Sequence, residues 1–504
     1  MAKKNEMQKI GNFISKLRDL KGFTQEQLAK KVGVETHVLA LIESGKQSCS
    51  TDLLDAISVA LNHKIIEVAD TSMDFQVEGG HQLSGTIQTN TSKNGAMGLL
   101  AASMLNRGTT TLHGIPRIEE VYRILEVMHS IGIEAAWESL HTLKIIVPED
   151  LKLDAIDSTS ATRTRTIIMF IGALAHRYKD FKIPHSAGCH LGKRSISAHI
   201  YGLEKLGIKI KVNKDNYRVT SEHLKPSEIV MYEAGDTPTE NLLIAASLIP
   251  GKTIIKFASA NYMVQDVCHF LEKLGVVIEG IGSQTLTVYG VPQINQDVEY
   301  HNSEDPIEAM MFLSAAITTR SSIVITRAPI DFLELELLKL EKMGFKYKIS
   351  KRYKGLNGHV NLADITTFES KLKAPDDKIT SGAYPDINMD NLPFFVPIAT
   401  QAKGTTLIHD WTFEDRAIYF VEMRRLGATI NFADPHRVFV EGVTALKAGQ
   451  VVCPPALRPA MIILIGMLAA PGTSMLRNVY SIRRGYEDIA NRLNSIGAKI
   501  TVLE

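Results

Sequence analysis

Cysteine is scarce. The 504 residues include four, Cys49, Cys189, Cys268 and Cys453, with no CxxC pair and no Cys/His spacing of the kind that binds zinc. That excludes a disulfide-stapled fold and suits reduced thiols in a cytoplasmic protein. Net charge is scarce as well: 56 Lys+Arg against 55 Asp+Glu leave +1, which excludes a whole-chain polycation while leaving a local basic patch open. The longest apolar run, Ala460 to Ala470, falls short of the roughly 20 residues a membrane span needs. The leading MAKKNEMQ has no apolar core of the signal-peptide kind, so a cytoplasmic protein without membrane contact is expected. What is present is ordinary: 45% hydrophobic and 22% charged residues, a composition that buries sizeable cores and is neither disordered nor collagenous. At about 150 residues per domain, the length suggests roughly three domains.

Residues 1 to about 70 read as a separate all-α module. Ile10, Phe13, Ile14, Leu17 and Leu20 recur at helical spacing and Gly22 stops that helix. Thr24 is placed to cap a second helix carrying Leu28, Ala29 and Val32, and Gly33 makes a tight turn into a third from about Glu35 to Glu43. Thr51 to Leu61 supplies a fourth. The segment T24-QEQLAKKVG-V34 followed by I42-ESG-K46 resembles the Cro/repressor-type helix-turn-helix family. The resemblance implies DNA contact through Gln25, Thr36, His37 and Lys46. The third helix, however, also presents Glu35, Val38, Ala40 and Leu41, which are poor partners for phosphates or base edges. Residues 1–50 hold nine basic and five acidic side chains, a modest bias. Two readings therefore stay open: DNA binding, or a helical bundle serving dimerisation or regulation. A homodimer is a further expectation.

The remaining chain repeats one unit six times. Each copy ends a helix on a hydrophobic-Gly-hydrophobic stop, at Gly132, Gly207, Gly275, Gly344, Gly427 and Gly497, spaced 68 to 83 residues apart. Each glycine is expected just past a helix end in the left-handed conformation, releasing the chain into a strand. The intervening helices are apolar on one stripe, as in Val121, Ile124, Leu125 and Met128, so each packs on a sheet. A fixed period signals equivalent α/β units, as a ring or as two clusters of three.

Three features between these units carry chemistry. T91-SK-N94 places Lys93 near a helix start, where a cation meets an anionic ligand. H185-SAGCHLGK-R194 sets one thiol among cations, which favour the thiolate. Arg165, Arg194, Arg416, Arg458 and Arg484 form a set whose planar forks suit a small polyanion. With HIYGLEKLG at 199–207, FEDR at 413–416 and RRGYE at 483–487, these residues closely resemble the enolpyruvyl transferases over about residues 74–504.

The resemblance implies an EPSP synthase-like inverse α/β barrel: six βαβαββ units in two globular domains, one of 74–92 plus 303–504 and one of 93–302, after the module of 1–70. It implies a reaction that adds the 3-hydroxyl of UDP-N-acetylglucosamine to C2 of phosphoenolpyruvate and then eliminates phosphate, with no metal and no cofactor. Lys93, Arg194 and Arg484 would hold phosphoenolpyruvate, with Arg165, Arg416 and Arg458 completing a cationic cleft. Cys189 would be the general acid at C3, and Asn94 and His199 would serve the sugar nucleotide. The base position falls on Asp390, with Asp386 in reserve, and Asp305 and Glu308 match a second acidic position lining the cleft. Carboxylates amid arginines are expected to stay ionised.

Some positions depart from the family pattern: Ala456 for an Asp, Ser195 for a Pro, Met169 for a Trp, and Glu233 and Asp236 where Lys and an uncharged residue are usual. All but Ala456 touch the nucleotide-sugar half. That leaves another nucleotide-sugar acceptor, or a DNA-binding regulator using the transferase fold as sensor, as alternatives.

Overall fold

The computed structural model describes residues 73–185 and 195–503, residues 21–47, and scattered helical positions from Gly11 to Leu61. The chain divides into two compact units, Met1–Thr71 with Ala136–Ser139, and Ser72–Ala135 with Leu140–Glu504.

In the first unit, Thr24 caps the helix Gln25–Val32 in a full capping box: its Oγ accepts the Gln27 N–H at 3.1 Å, and Gln27 Oε1 accepts the Thr24 N–H at 2.8 Å. Gly33 follows at φ 74°, and the next helix is Thr36–Glu43. Ile14, Leu17, Leu28, Leu39 and Ile42 form the core. Beside it lies a buried ion pair, with Arg18 donating from Nε to Glu43 Oε1 at 2.6 Å and from Nη2 to Oε2 at 3.0 Å. Gln25 Nε2 donates to the same Oε2 at 2.7 Å, which turns this expected DNA contact inward. Thr36, His37 and Lys46 are exposed, with Glu35 3.0 Å from His37.

Among the described residues, the second unit contains six sheets. Three draw their strands from residues 74–88 and 322–503, and three from residues 110–301. The interior strand Asp74–Gly79, for example, is antiparallel to Gly472–Arg477 and to Ile500–Leu503. Ser322–Pro329 takes Ser84–Gln88 as a parallel neighbour and Asn361–Phe368 as an antiparallel one. All six helix-stopping glycines have positive φ, from 81° to 97°, as the repeat predicts.

Certain helices have no solvent face. Every residue of Pro306–Thr318 is buried, as are all of Leu457–Ala469 but its last, nine of eleven in Lys93–Ser103 and ten of twelve in Asp236–Ser247. A helix apolar on all sides belongs inside, so these lie within and the sheets outside. Gly95 and Gly98 allow the close fit, since a Cβ on either would stand within 2.6 Å of Asn302 or Val267.

Asp305 caps Pro306–Thr318, its carboxylate accepting the Ile307 N–H at 2.8 Å. It is 6% exposed and serves the helix rather than the cleft wall where the sequence places it. Burial pushes its carboxyl up to about 6, against the pull of Arg458, so it does not share the fully ionised state expected of acids among arginines. Glu308 is likewise committed, accepting from Arg492 and from the Asn90 N–H at 2.6 Å.

Two outcomes follow from these packed groups. Glu43→Ala takes from buried Arg18 its buried carboxylate partner, leaving Asp19 and the Phe23 carbonyl as acceptors, at a cost of about 3 kcal/mol, read as lost amide protection over residues 25–43 while residues 73–503 keep theirs. Unchanged protection would contradict it. Native Asp305 holds a proton that the unfolded chain releases near pH 4, so its contribution to stability declines as pH rises from about 4 to about 6. Denaturant titrations should find this slope reduced in Asp305→Asn, which keeps a capping oxygen.

Candidate active site

A cavity of about 780 Å³ opens between the two groups of sheets, and three of the buried helices begin in its wall: Lys93 and Asn94, Asp236 and Thr237, and Leu457 and Arg458. Free N–H groups and the helix dipole make such ends electropositive. Ser92 caps the first of them, its Oγ accepting the Gly95 N–H at 3.0 Å.

Cations in this wall come with carboxylates. Lys93 Nζ lies 3.0 Å from Glu120 Oε2, both side chains 13% exposed. Burial pushes the Glu120 carboxyl up, yet Lys93, Arg484 and Arg458 outweigh it and hold the group below its usual range. Arg416 is 1% exposed; its Nε donates to Asp410 Oδ2 at 2.5 Å and its Nη2 to the Met389 carbonyl at 2.6 Å. Its guanidinium lies 4.1 Å from the centre of the Phe413 ring. Arg458 donates from Nη1 to Tyr486 Oη at 2.8 Å and from Nη2 to Asp390 Oδ2 at 3.3 Å. Burial works against the Arg458 cation, but Tyr486, Asp390 and Asp305 raise its pKa, so it stays charged.

Asp390 therefore sits between two arginines, with Arg416 Nη1 3.7 Å from its Oδ1. Its loop is held from below: Asn388 Oδ1 accepts the Asp390 N–H at 2.9 Å, and buried Glu336 accepts from the Asn388 N–H and from Asn391 Nδ2. Asp386, four residues earlier, is exposed and outside the cavity wall. Arg484 lines the cavity, and three residues on Glu487 accepts from the Arg117 N–H at 3.1 Å and meets His141 Nε2 at 2.9 Å.

The opposite wall is quieter. Arg165 Nη2 donates to the Ser195 carbonyl at 3.2 Å. His199 is 1% exposed, and burial with Arg165 pushes its pKa down to about 3. The neutral ring accepts from Asn241 Nδ2 at Nδ1, 3.1 Å away, leaving Nε2–H towards Thr237 Oγ1 at 3.4 Å. Asp236 lines the cavity as the sequence suggests, with its oxygens accepting from Ser259 Oγ and Asn261 Nδ2 and its carboxyl raised by burial. Glu233 and Met169 do line the cavity. Cys268 and Cys453 are buried, as core thiols should be. Cys189 and Arg194 lie outside the described residues.

Sequence reasoning brings Lys93, Asn94, Arg165, His199, Asp390, Arg416, Arg458 and Arg484 to one cavity, and the structure does the same. It missed Glu120, Asp410, Tyr486 and Trp411. Tyr486 lies within the RRGYE segment already quoted, and Asp410 lies just before FEDR. Glu120 stands in an ordinary-looking helix start, and nothing local marks it.

Residues 77–493 match the family described as EPSP synthase (3-phosphoshikimate 1-carboxyvinyltransferase), and residues 14–67 match the helix-turn-helix family. Relatives named UDP-N-acetylglucosamine 1-carboxyvinyltransferase include one from Treponema denticola, 33% identical over 434 residues, covering 86% of this chain and 99% of the relative. Another, from Bradyrhizobium diazoefficiens, is 32% identical over 436 residues, covering 85% and 97%. Among solved structures, the enolpyruvyl transferase NikO from Streptomyces tendae superimposes with a TM-score of 0.73 at 21% identity, covering 86% of this chain and 99% of its own. EPSP synthase from Acinetobacter baumannii gives 0.68 at 16%, covering 86% and 100%. The chain belongs to the EPSP synthase family of enolpyruvyl transferases and carries a helix-turn-helix domain at its front.

Proposed function

We propose that this enzyme transfers the enolpyruvyl group of phosphoenolpyruvate to the 3-hydroxyl of UDP-N-acetylglucosamine, releasing phosphate, as a cytoplasmic step towards peptidoglycan. The substrates bind between a lobe of residues 74–92 and 303–504 and a lobe of residues 93–302. The observation that carries the reading is Asp390, fixed by Arg416 and Arg458 in a cavity that also holds Lys93 and Arg484.

Each group has a task that its surroundings suit. Lys93 and Arg484, with Arg194, hold the phosphate and carboxylate of phosphoenolpyruvate, while Arg165, Arg416 and Arg458 complete the cationic lining. Two arginines favour the ionised form of a carboxylate, so Asp390 can accept the proton as the sugar oxygen forms its bond to C2. Cys189 delivers a proton to C3. Loss of a proton from C3 and cleavage of the C2–O bond to phosphorus-bound oxygen then restore the double bond and release phosphate. Holding the two reactants in line supplies much of the rate. Asn94 and neutral His199 serve the sugar-nucleotide side.

The front module adds a second role. Its capping box and glycine turn support duplex DNA binding, with Thr36, His37 and Lys46 exposed to make the contact and Gln25 steadying the fold through Glu43.

Phosphate release from phosphoenolpyruvate plus UDP-N-acetylglucosamine is the first test. Wild type should turn over, and Asp390→Ala and Cys189→Ala should each lose at least about a hundredfold in kcat, the usual weight of acid–base catalysis. Turnover only with a different nucleotide sugar would reassign the acceptor. Glu120→Gln should raise the KM for phosphoenolpyruvate several-fold by loosening Lys93, about 1 kcal/mol, and leave the acceptor KM in place. An unchanged phosphoenolpyruvate KM would remove Glu120 from the site.

A further inference from the structure

Among the described residues, the cavity wall contains two large aromatic side chains: Phe413, packed on Arg416, and Trp411, to which none of these roles is assigned. Trp411 lines the cavity and is 56% exposed, although its immediate neighbours are tied down. Asp410 before it is fully buried against Arg416, and Phe413 after it lies beneath the Arg416 guanidinium. The indole is fixed as well: Nε1–H donates to the Ser381 carbonyl at 2.5 Å. That bond spends the ring's only donor. What remains exposed is apolar ring.

We infer that Trp411 is a specificity-determining platform on which the acceptor's pyranose ring stacks, presenting its hydroxyl to Asp390. This rests on the acceptor being a sugar nucleotide. Three observations support it. An aromatic ring this exposed leaves a large apolar area in water until a ligand covers it. The negatively polarised ring face repels phosphate and carboxylate but suits the C–H face of a sugar, so it separates acceptor from phosphoenolpyruvate. Ser381, which anchors the indole, begins the same 381–391 segment that ends in Asp390 and Asn391, so the ring and Asp390 are tied to one segment. A sugar resting on the ring is thereby held at a set distance from the carboxylate. Sequence reading passed over the residue because a lone Trp in W411-TFED carries no motif.

The test uses the full-length enzyme. Trp411→Ala should raise the KM for UDP-N-acetylglucosamine about tenfold, the worth of one good aromatic contact. The KM for phosphoenolpyruvate and kcat should stay within about threefold. Trp411→Phe keeps a ring without the N–H and should recover most of the acceptor KM. A strut that merely braced the Asp390 loop would show the reverse: kcat falls, the acceptor KM holds, and Phe fails to rescue. The chain has two tryptophans, so Trp137→Phe leaves Trp411 as the sole reporter. UDP-N-acetylglucosamine should shift its fluorescence and inorganic phosphate should not. An acceptor KM unmoved in Trp411→Ala, or fluorescence unmoved by the sugar nucleotide, overturns the inference. Absent turnover in wild type would strike the acceptor assignment instead, and the fluorescence titration still decides whether the ring meets a sugar.

Discussion

A cleft built for anions must first fold without them, and the pairing of each buried cation with a carboxylate makes that feasible. Lys93 has Glu120, Arg416 has Asp410, and Arg458 has Asp390. A lone guanidinium at the burial of Arg416 would carry a desolvation penalty of several kcal/mol. The pairs hold that penalty down and fix each cation in direction. They are unequal, however. Asp410 is fully buried and faces away from the ligand space, so Arg416 is a permanent strut. Asp390 is partly open to the cavity, with its arginines 3.3 and 3.7 Å away.

The fold delivers these pairs through the interior helices. Lys93–Ser103, Asp236–Ser247 and Leu457–Ala469 are almost wholly buried, and each brings its N-terminus to the cavity wall. Positive helix ends and positive side chains then coincide, which is the electrostatic preorganisation that an addition to a phosphate ester followed by phosphate release calls for. The departures from the family pattern are absorbed locally. Asp236 lines the cavity with its carboxylate taken up by Ser259 and Asn261, and Glu233 lines the cavity beside it.

Legibility in the sequence followed the range of the interaction. The six glycine stops were readable because a left-handed residue after a helix is a local demand, and all six have positive φ. The Thr24 capping box was readable for the same reason. Residues in recurrent motifs, from Lys93 to Arg484, could be assigned to one cavity. Glu120 could not, since its meaning comes from Lys93, 27 positions away, and neither could the burial that turns Asp305 from a cleft residue into a helix cap. Gln25 shows the same limit within the front module, where a contact to Glu43, 18 residues on, redirects a side chain that local pattern pointed outward.

The central claim is that this charged cavity runs an addition followed by an elimination, with a proton entering and leaving C3. Turnover of phosphoenolpyruvate and UDP-N-acetylglucosamine in deuterium oxide, with mass analysis of the product, tests it most directly. The account predicts deuterium in the product's vinyl group, because C3 passes through a methyl stage that draws its third hydrogen from the solvent-exchanged acid. A product whose vinyl group remains wholly protonated at full turnover would contradict it.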